Sequence, residues 1–305
     1  MAIQRYLVTE TRLEIPALVH NEALNGVVSP GFTAFPSPTG LAATRDPEAV
    51  QEMADIMRRQ IRAVGMLHAL APLMDVARDA RWGRVTETYG EDPYLVGAMS
   101  VAFTRGMHGK DLREGVLVCA KHFLGYGATE GGQNMAATAI GPRALYDVYA
   151  RPFEAAIRST GLAGVMASYS EFEGVPIHVS RAVLTNLLRD RMGFAGTVVS
   201  DYNGIGWAQT RQLVASTPAD IGALALSAGM DVELPGVPDT GRFWSKPSRM
   251  ARSPSLSWTT PYVASCATRS SSAYLRTPTS ARSQSRSRKW RARASISPDD
   301  SQPSR

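Results

Sequence analysis

Six short apolar runs, set at intervals along the first 236 residues with helix-patterned stretches between them, leave this chain few architectures. Residues 15–19, 70–73, 116–120, 164–168, 196–200 and 230–234 read as strands. Residues 47–66, 93–107, 143–159, 181–191 and 219–228 carry apolar side chains at helical intervals and read as helices. Asp46-Pro47 and Asp92-Pro93 each offer an N-cap followed by proline at the first helical position. Strands that are apolar on both faces belong in a parallel sheet covered on both sides, so the expected fold is α/β, a (β/α) TIM-type barrel. About 236 residues suit one such domain and bury a core without staples.

The ordered pattern breaks at Leu234-Pro235-Gly236. Residues 241–305 carry 13 Lys plus Arg against 2 Asp, whereas residues 1–240 carry 20 basic against 25 acidic side chains. The formal net charge of +6 therefore belongs to the tail. With 17 serines and few aliphatics in 65 residues, the tail buries too little apolar surface to offset chain entropy and is expected to be disordered. Two domains follow: an ordered unit at 1–236 and a low-complexity Ser/Arg-rich tail at 237–305.

Three readings of the tail stand side by side. Its cluster from Ser283 to Lys289 has the charge to grip nucleic-acid phosphates or an anionic surface. It is equally a solvated linker. The favoured reading is out-of-frame translation: read from the third base of each codon, permitted codons for residues 243–268 allow a helix–turn–helix pattern absent from the printed frame.

In a (β/α) barrel the active site is built at the carboxyl ends of the strands. Those ends here read His20-Asn21-Glu22, Asp75 to Arg84, Lys121-His122, Ser168-Tyr169-Ser170 and Asp201-Tyr202, a set suited to a hydroxyl-rich ligand. His20 and His178 lack partners at metal-ligand spacing, so no metal is expected. Gly125, Gly127, Gly131 and Gly132 match no nucleotide fingerprint and read as a flexible barrel loop. Cys119 reads as a small core residue of a strand, and with Cys266 it offers no disulfide framework. No charged-then-apolar leader opens the chain and no run approaches a membrane span, so the chain as it stands reads as cytoplasmic, with secretion of a longer parent left open.

Ala80-Arg81-Trp82-Gly83-Arg84 with Tyr89-Gly90-Glu91-Asp92-Pro93, Lys121-His122-Phe123 with Gly131-Gly132-Gln133-Asn134-Met135, Ser168-Tyr169-Ser170 and Val199-Ser200-Asp201-Tyr202 occur in this order. Over roughly residues 12–236 this set resembles the amino-terminal barrel of glycoside hydrolase family 3. The resemblance implies a retaining exo-β-glycosidase of β-glucosidase or β-xylosidase type, acting on β-linked oligosaccharides or aryl and alkyl glycosides without a cofactor. It implies Asp201 as nucleophile and Glu22, Arg84, Lys121, His122 and Tyr169 as the lining of the terminal-sugar subsite. In that picture Glu22 accepts hydrogen bonds from sugar hydroxyls, Lys121 and His122 donate to others, and Tyr169 positions the nucleophile. Arg81 and Trp82 are expected to brace their loop; Glu87, Glu91 and Asp92 read as loop or cap residues. No nucleic acid or membrane partner is expected, and oligomeric state is not readable.

The chain departs from the family pattern at three places. The first strand and helix of the family barrel are missing, so the barrel is expected to be incomplete at its amino-terminal end, with unpaired edges and exposed apolar faces. Asn25 stands where the family usually has a His. The acid/base Glu, which in most of the family comes from a following α/β sandwich domain, is absent, and the loop from Ala128 to Asn134 lacks the Asp and His that a subgroup uses instead. Glu130 and Glu173 are the in-chain alternatives. A catalytically weak sugar-binding remnant is the second functional reading, and a surface binder acting through the tail the third. The coding DNA tests the frame assignment: third bases from Phe243 onward that forbid the shifted reading would overturn it.

Overall fold

The computed structural model of the protein describes residues 2–235. The tail, with the frame, disorder and surface-binding readings placed on it and Cys266, lies outside the described residues.

Five parallel strands form the central sheet in chain order: β1 (His20–Asn21), β2 (His68–Ala69), β3 (Leu117–Phe123), β5 (Gly164–Ala167) and β8 (Thr197–Val199). Single bridges from Leu73 to Lys121 and from Val199 to Val232 extend it. A second, smaller sheet packs three strands as β4 (Ala137–Thr138), β6 (Glu171–Phe172) and β7 (Val175–Pro176). The large sheet curls without closing among the described residues. The curl is nonetheless strong, because His20 on β1 meets Tyr202, just past β8, through a 3.0 Å hydrogen bond between Nε2 and the phenol oxygen.

Eight α-helices accompany the sheets among the described residues: α1 (Ala2–Glu10), α2 (Pro38–Thr44), α3 (Pro47–Ala63), α4 (Pro93–His108), α5 (Pro142–Ala144), α6 (Arg151–Thr160), α7 (Gly204–Thr210) and α8 (Pro218–Ala228). Both expected caps are present: the Asp46 carboxylate accepts from Ala49 N at 3.0 Å and that of Asp92 from Tyr94 N at 2.9 Å. In α3, Val50, Met53, Ala54, Met57 and Ile61 are buried along one stripe, as helical spacing requires. Cys119 is fully buried in β3 and its thiol is pushed up to about 12 by desolvation, in keeping with a core role.

Several expected elements differ, among them the strand expected at 70–73, where pairing lies at His68–Ala69 with a single bridge at Leu73. Residues 15–19 form no strand: strand pairing begins at His20–Asn21, the Ala17 backbone exchanges hydrogen bonds with the Gln4 side chain of α1 instead, and Ile15 is 50% and Leu18 44% exposed. The helix expected over 143–159 is interrupted by a π-helical turn at Leu145–Tyr149. Pro152 accounts for it, lacking an N–H for the ladder and crowding the carbonyl one turn back, which the wider turn accommodates. The stretch 181–191 is likewise π-helical over Ala182–Arg191, and 230–234 contributes only the Val232 bridge.

Helices α3 and α4 pack so closely that a Cβ placed on Gly106 would collide with the Gln51 carbonyl and lie 2.7 Å from the Ala54 methyl. Alanine normally stabilises a helix interior over glycine by about 0.5–1 kcal/mol. Here the steric overlap reverses the sign. Gly106→Ala is expected to lower the melting temperature in circular dichroism melts at pH 7.

Candidate active site

All six residues assigned by sequence gather at the carboxyl edge of the large sheet. Glu22 follows β1, Lys121 and His122 close β3, Tyr169 follows β5 and Asp201 follows β8. Arg84 comes from the loop leading to the short 3₁₀ turn Val85–Glu87. Lys121 reaches Glu22, its Nζ 2.5 Å from Oε2. The Lys121–His122 peptide bond is cis, and both side chains face this site.

His122 is the hub. The Asp75 carboxylate oxygen Oδ2 accepts from the His122 backbone N–H at 3.1 Å and lies 2.8 Å from Nδ1. On the other side Nε2 is 3.2 Å from an Arg84 terminal nitrogen. A guanidinium only donates, so Nε2 is the acceptor and the proton sits on Nδ1, donating to Asp75. Desolvation, reinforced by Arg84 and Lys121, holds the imidazole well below its ordinary pKa and keeps it neutral. The expectation that His122 donates to a ligand is thereby corrected, because its one N–H is already committed to Asp75.

Arg84 is fixed by Glu87, whose two carboxylate oxygens each accept from the guanidinium at 2.7 Å. Glu87 is thus the clamp of Arg84 rather than a simple loop residue. Arg84 also lies over the ring of Tyr126, 5.5 Å from its centroid. Arg81 pairs with the neighbouring Asp79, while Trp82 is buried edge-on to Tyr126 at 5.2 Å, both consistent with bracing the loop. The segment expected to be a flexible loop carries the fully buried Tyr126, so it is packed against this layer.

Asp201 is buried, and its two oxygens differ. Oδ1 accepts from the Tyr202 N–H at 2.7 Å. Among the described residues Oδ2 has no hydrogen-bond partner, and it sits 3.5 Å from His122 Nε2. Desolvation raises the Asp201 pKa, opposed by the Tyr202 amide, Tyr169, Lys121 and Arg84. Tyr169 donates its hydroxyl to the Tyr202 carbonyl at 2.7 Å, so it fixes the backbone beside Asp201. Glu130 and Glu173 are solvent-exposed, Glu173 in the turn between β6 and β7. Among the described residues, no group of three or more His, Cys, Asp or Glu could hold a metal ion.

Sequence reasoning left Asp75, Glu87, Tyr126 and His178 without a role in this layer. Asp75 carried a signal, a carboxylate two residues past an apolar run. His178 carried none, since the hairpin that delivers it was not foreseen.

Burial of titratable groups makes stability depend on pH with a definite sign. His68, pushed down to about 4 by desolvation and by His20, and His178, pushed down to about 3 by desolvation, bind protons more readily unfolded than folded. Their contribution is present above about pH 6.5 and is lost as pH falls through the folded values. Asp75, pushed up to about 7 chiefly by desolvation, acts oppositely, stabilising at low pH and losing that contribution as pH rises toward 7. With His122 and His108 also held down, the histidines prevail. The melting temperature is expected to fall between pH 6.5 and 4 and to fall further in Asp75→Asn, as read by circular dichroism melts at stepped pH.

Comparison with known proteins shows the family to which the chain belongs. The chain is 40% identical over 233 residues to a β-xylosidase of Formosa agariphila, covering 73% of this chain and 32% of that protein. It is 32% identical to a periplasmic β-glucosidase of Salmonella typhimurium, covering 76% and 30%. The solved structure of a β-glucosidase from Erythrobacter marinus superposes with a TM-score of 0.74 at 36% identity, covering 76% of this chain and 31% of that one. A Listeria innocua β-glucosidase in complex with glucose gives a TM-score of 0.71 at 31% identity, covering 76% and 32%. The chain thus spans about a third of the length of the relatives it matches. Residues 1–244 match the model of the glycosyl hydrolase family 3 N-terminal domain, and the chain belongs to that family.

Proposed function

We propose that this chain carries the nucleophile and terminal-sugar subsite of a retaining exo-β-glycosidase of β-glucosidase or β-xylosidase type. The observation that carries this reading is the buried Oδ2 of Asp201, which no described residue hydrogen-bonds, set among the sugar-compatible groups of Glu22, Lys121 and Arg84 with His122 packed behind them. In the first half-reaction Oδ2 attacks the anomeric carbon as the glycosidic bond breaks, giving a glycosyl-enzyme ester that water then opens with net retention. Glu22 accepts hydrogen bonds from the sugar, Lys121 donates, and Tyr169 keeps the Asp201 loop in register. Attack requires the Asp201 carboxylate, whose pKa desolvation raises, so glycosylation is expected to accelerate as pH rises from the acid side.

Retaining hydrolysis calls for a second carboxyl group roughly 5 Å from the nucleophile to protonate the leaving oxygen. Glu130 and Glu173, the in-chain alternatives, are solvent-exposed. The described residues therefore favour substrates whose leaving group departs without a proton.

Intact mass after incubation with 2-fluoro glucosyl and xylosyl donors bearing dinitrophenolate tests the reading. The expected result is one adduct per chain, mapped to Asp201, from one or both sugars, and none in Asp201→Ala. Equal labelling of Asp201→Ala overturns the mechanism. Binding of glucose or xylose without any adduct supports the sugar-binding remnant instead.

A further inference from the structure

The small sheet delivers one buried side chain to the nucleophile. Strands β6 and β7 form a hairpin whose turn residues, Glu173 and Gly174, both have positive φ, at 52° and 76°, as a tight two-residue turn requires. The chain leaves β7 through the 3₁₀ turn Ile177–Val179, tied back by a hydrogen bond from Ile177 N to Ser170 O at 3.0 Å. That turn buries His178 between the Tyr169 ring, 6.0 Å away by centroids, and the start of α7. A Cβ on Gly204, the first residue of α7, would collide with the His178 imidazole, so the helix start and the ring are fitted to each other.

His178 Nε2 lies 3.2 Å from the Asp201 amide and accepts its N–H. Three backbone groups around the nucleophile are therefore tied: the Asp201 N–H to His178, the Tyr202 N–H to the Asp201 side chain, and the Tyr202 carbonyl to Tyr169. Only the first of these anchors comes from outside the large sheet and the strand-end loops next to it. Resting on the reading of Asp201 as nucleophile, we infer that His178 is a positioning residue, by which the β4-β6-β7 sheet sets the aim of the Asp201 carboxylate through its amide.

The requirement is an acceptor at Nε2, which a neutral imidazole supplies and a protonated one does not. Desolvation favours the neutral form throughout the range in which Asp201 would act. Asp201 itself presents its free oxygen to the site, so a shift of its backbone displaces the attacking atom without removing any sugar contact. Misplacement of a reacting group by ~1 Å costs about 100-fold in rate. The loss is expected in the bond-forming step and not in donor binding.

The full chain and its His178→Leu and His178→Gln variants, the second keeping an acceptor, provide the test. With the dinitrophenyl 2-fluoro donor, His178→Leu is expected to lower the first-order trapping constant by about 10- to 100-fold with half-saturation unchanged, and His178→Gln to recover much of it. The Asp201 amide, observed by selective ¹⁵N-aspartate labelling, is expected to lose hydrogen-exchange protection in His178→Leu and retain it in His178→Gln. In the unmutated chain at pH 6, the imidazole ¹⁵N spectrum is expected to show His178 neutral with Nε2 unprotonated, a measurement that needs no variant to fold. A protonated Nε2, or an Asp201 amide and trapping constant unmoved in His178→Leu, overturns the inference. Absence of any adduct in the unmutated chain, with the amide responding as stated, overturns the glycosidase reading and leaves the positioning role standing.

Discussion

An all-parallel sheet sends every strand in the same direction, and the chemistry of this protein follows from that constraint. The apolar runs can be buried on both faces only if the polar residues that end them collect along one edge. That edge receives Glu22, Asp75, Lys121, Ser168 and Asp201 from strands far apart in sequence. Charges brought together in this way lose water, and the site is shaped by how each one is compensated.

Compensation runs through pairs of unequal quality. Arg84 and Glu87 share a two-pronged contact, and Lys121 meets Glu22 directly. His122 stays neutral, donating its one ring N–H to Asp75 and accepting from Arg84 at Nε2. Among these charged groups, Asp201 is left with a buried oxygen that no described residue satisfies. Such an atom is costly in a structural residue and useful in one that must bond to something else. The aromatic layer of Trp82, Tyr126 and Tyr169 lies alongside and supplies the low-polarity wall that makes the difference matter.

The parts legible in the sequence were those whose signal is local. Asp46-Pro47 and Asp92-Pro93 announced helix starts because a side chain caps the turn three or fewer residues away. Strand ends were readable because an apolar run followed by a carboxylate or lysine is itself the pattern. Residues 15–19 misled, since an apolar run cannot say whether a neighbour exists to pair with it. The π-helical turn at Leu145–Tyr149 was hidden because its period differs by only a residue from the helix expected. The tautomer of His122 was not readable at all, being decided by Arg84 and Asp75, each about 40 residues or more away in sequence. The β6–β7 hairpin left a weak trace in Glu173-Gly174, and with it His178 went unassigned.

The contact between His20 and Tyr202 ties the first strand of the curled sheet to the loop after the last. Two strands that do not pair among the described residues are thus held at a fixed spacing at the rim. The width of the open arc is set in part by whatever lies across it. A ligand touching both Glu22 and Asp201 would span the same gap, so its affinity and the width of the arc become linked quantities. Occupancy of the site would then stiffen the whole sheet, and loosening of the sheet far from the rim would be felt as weaker binding.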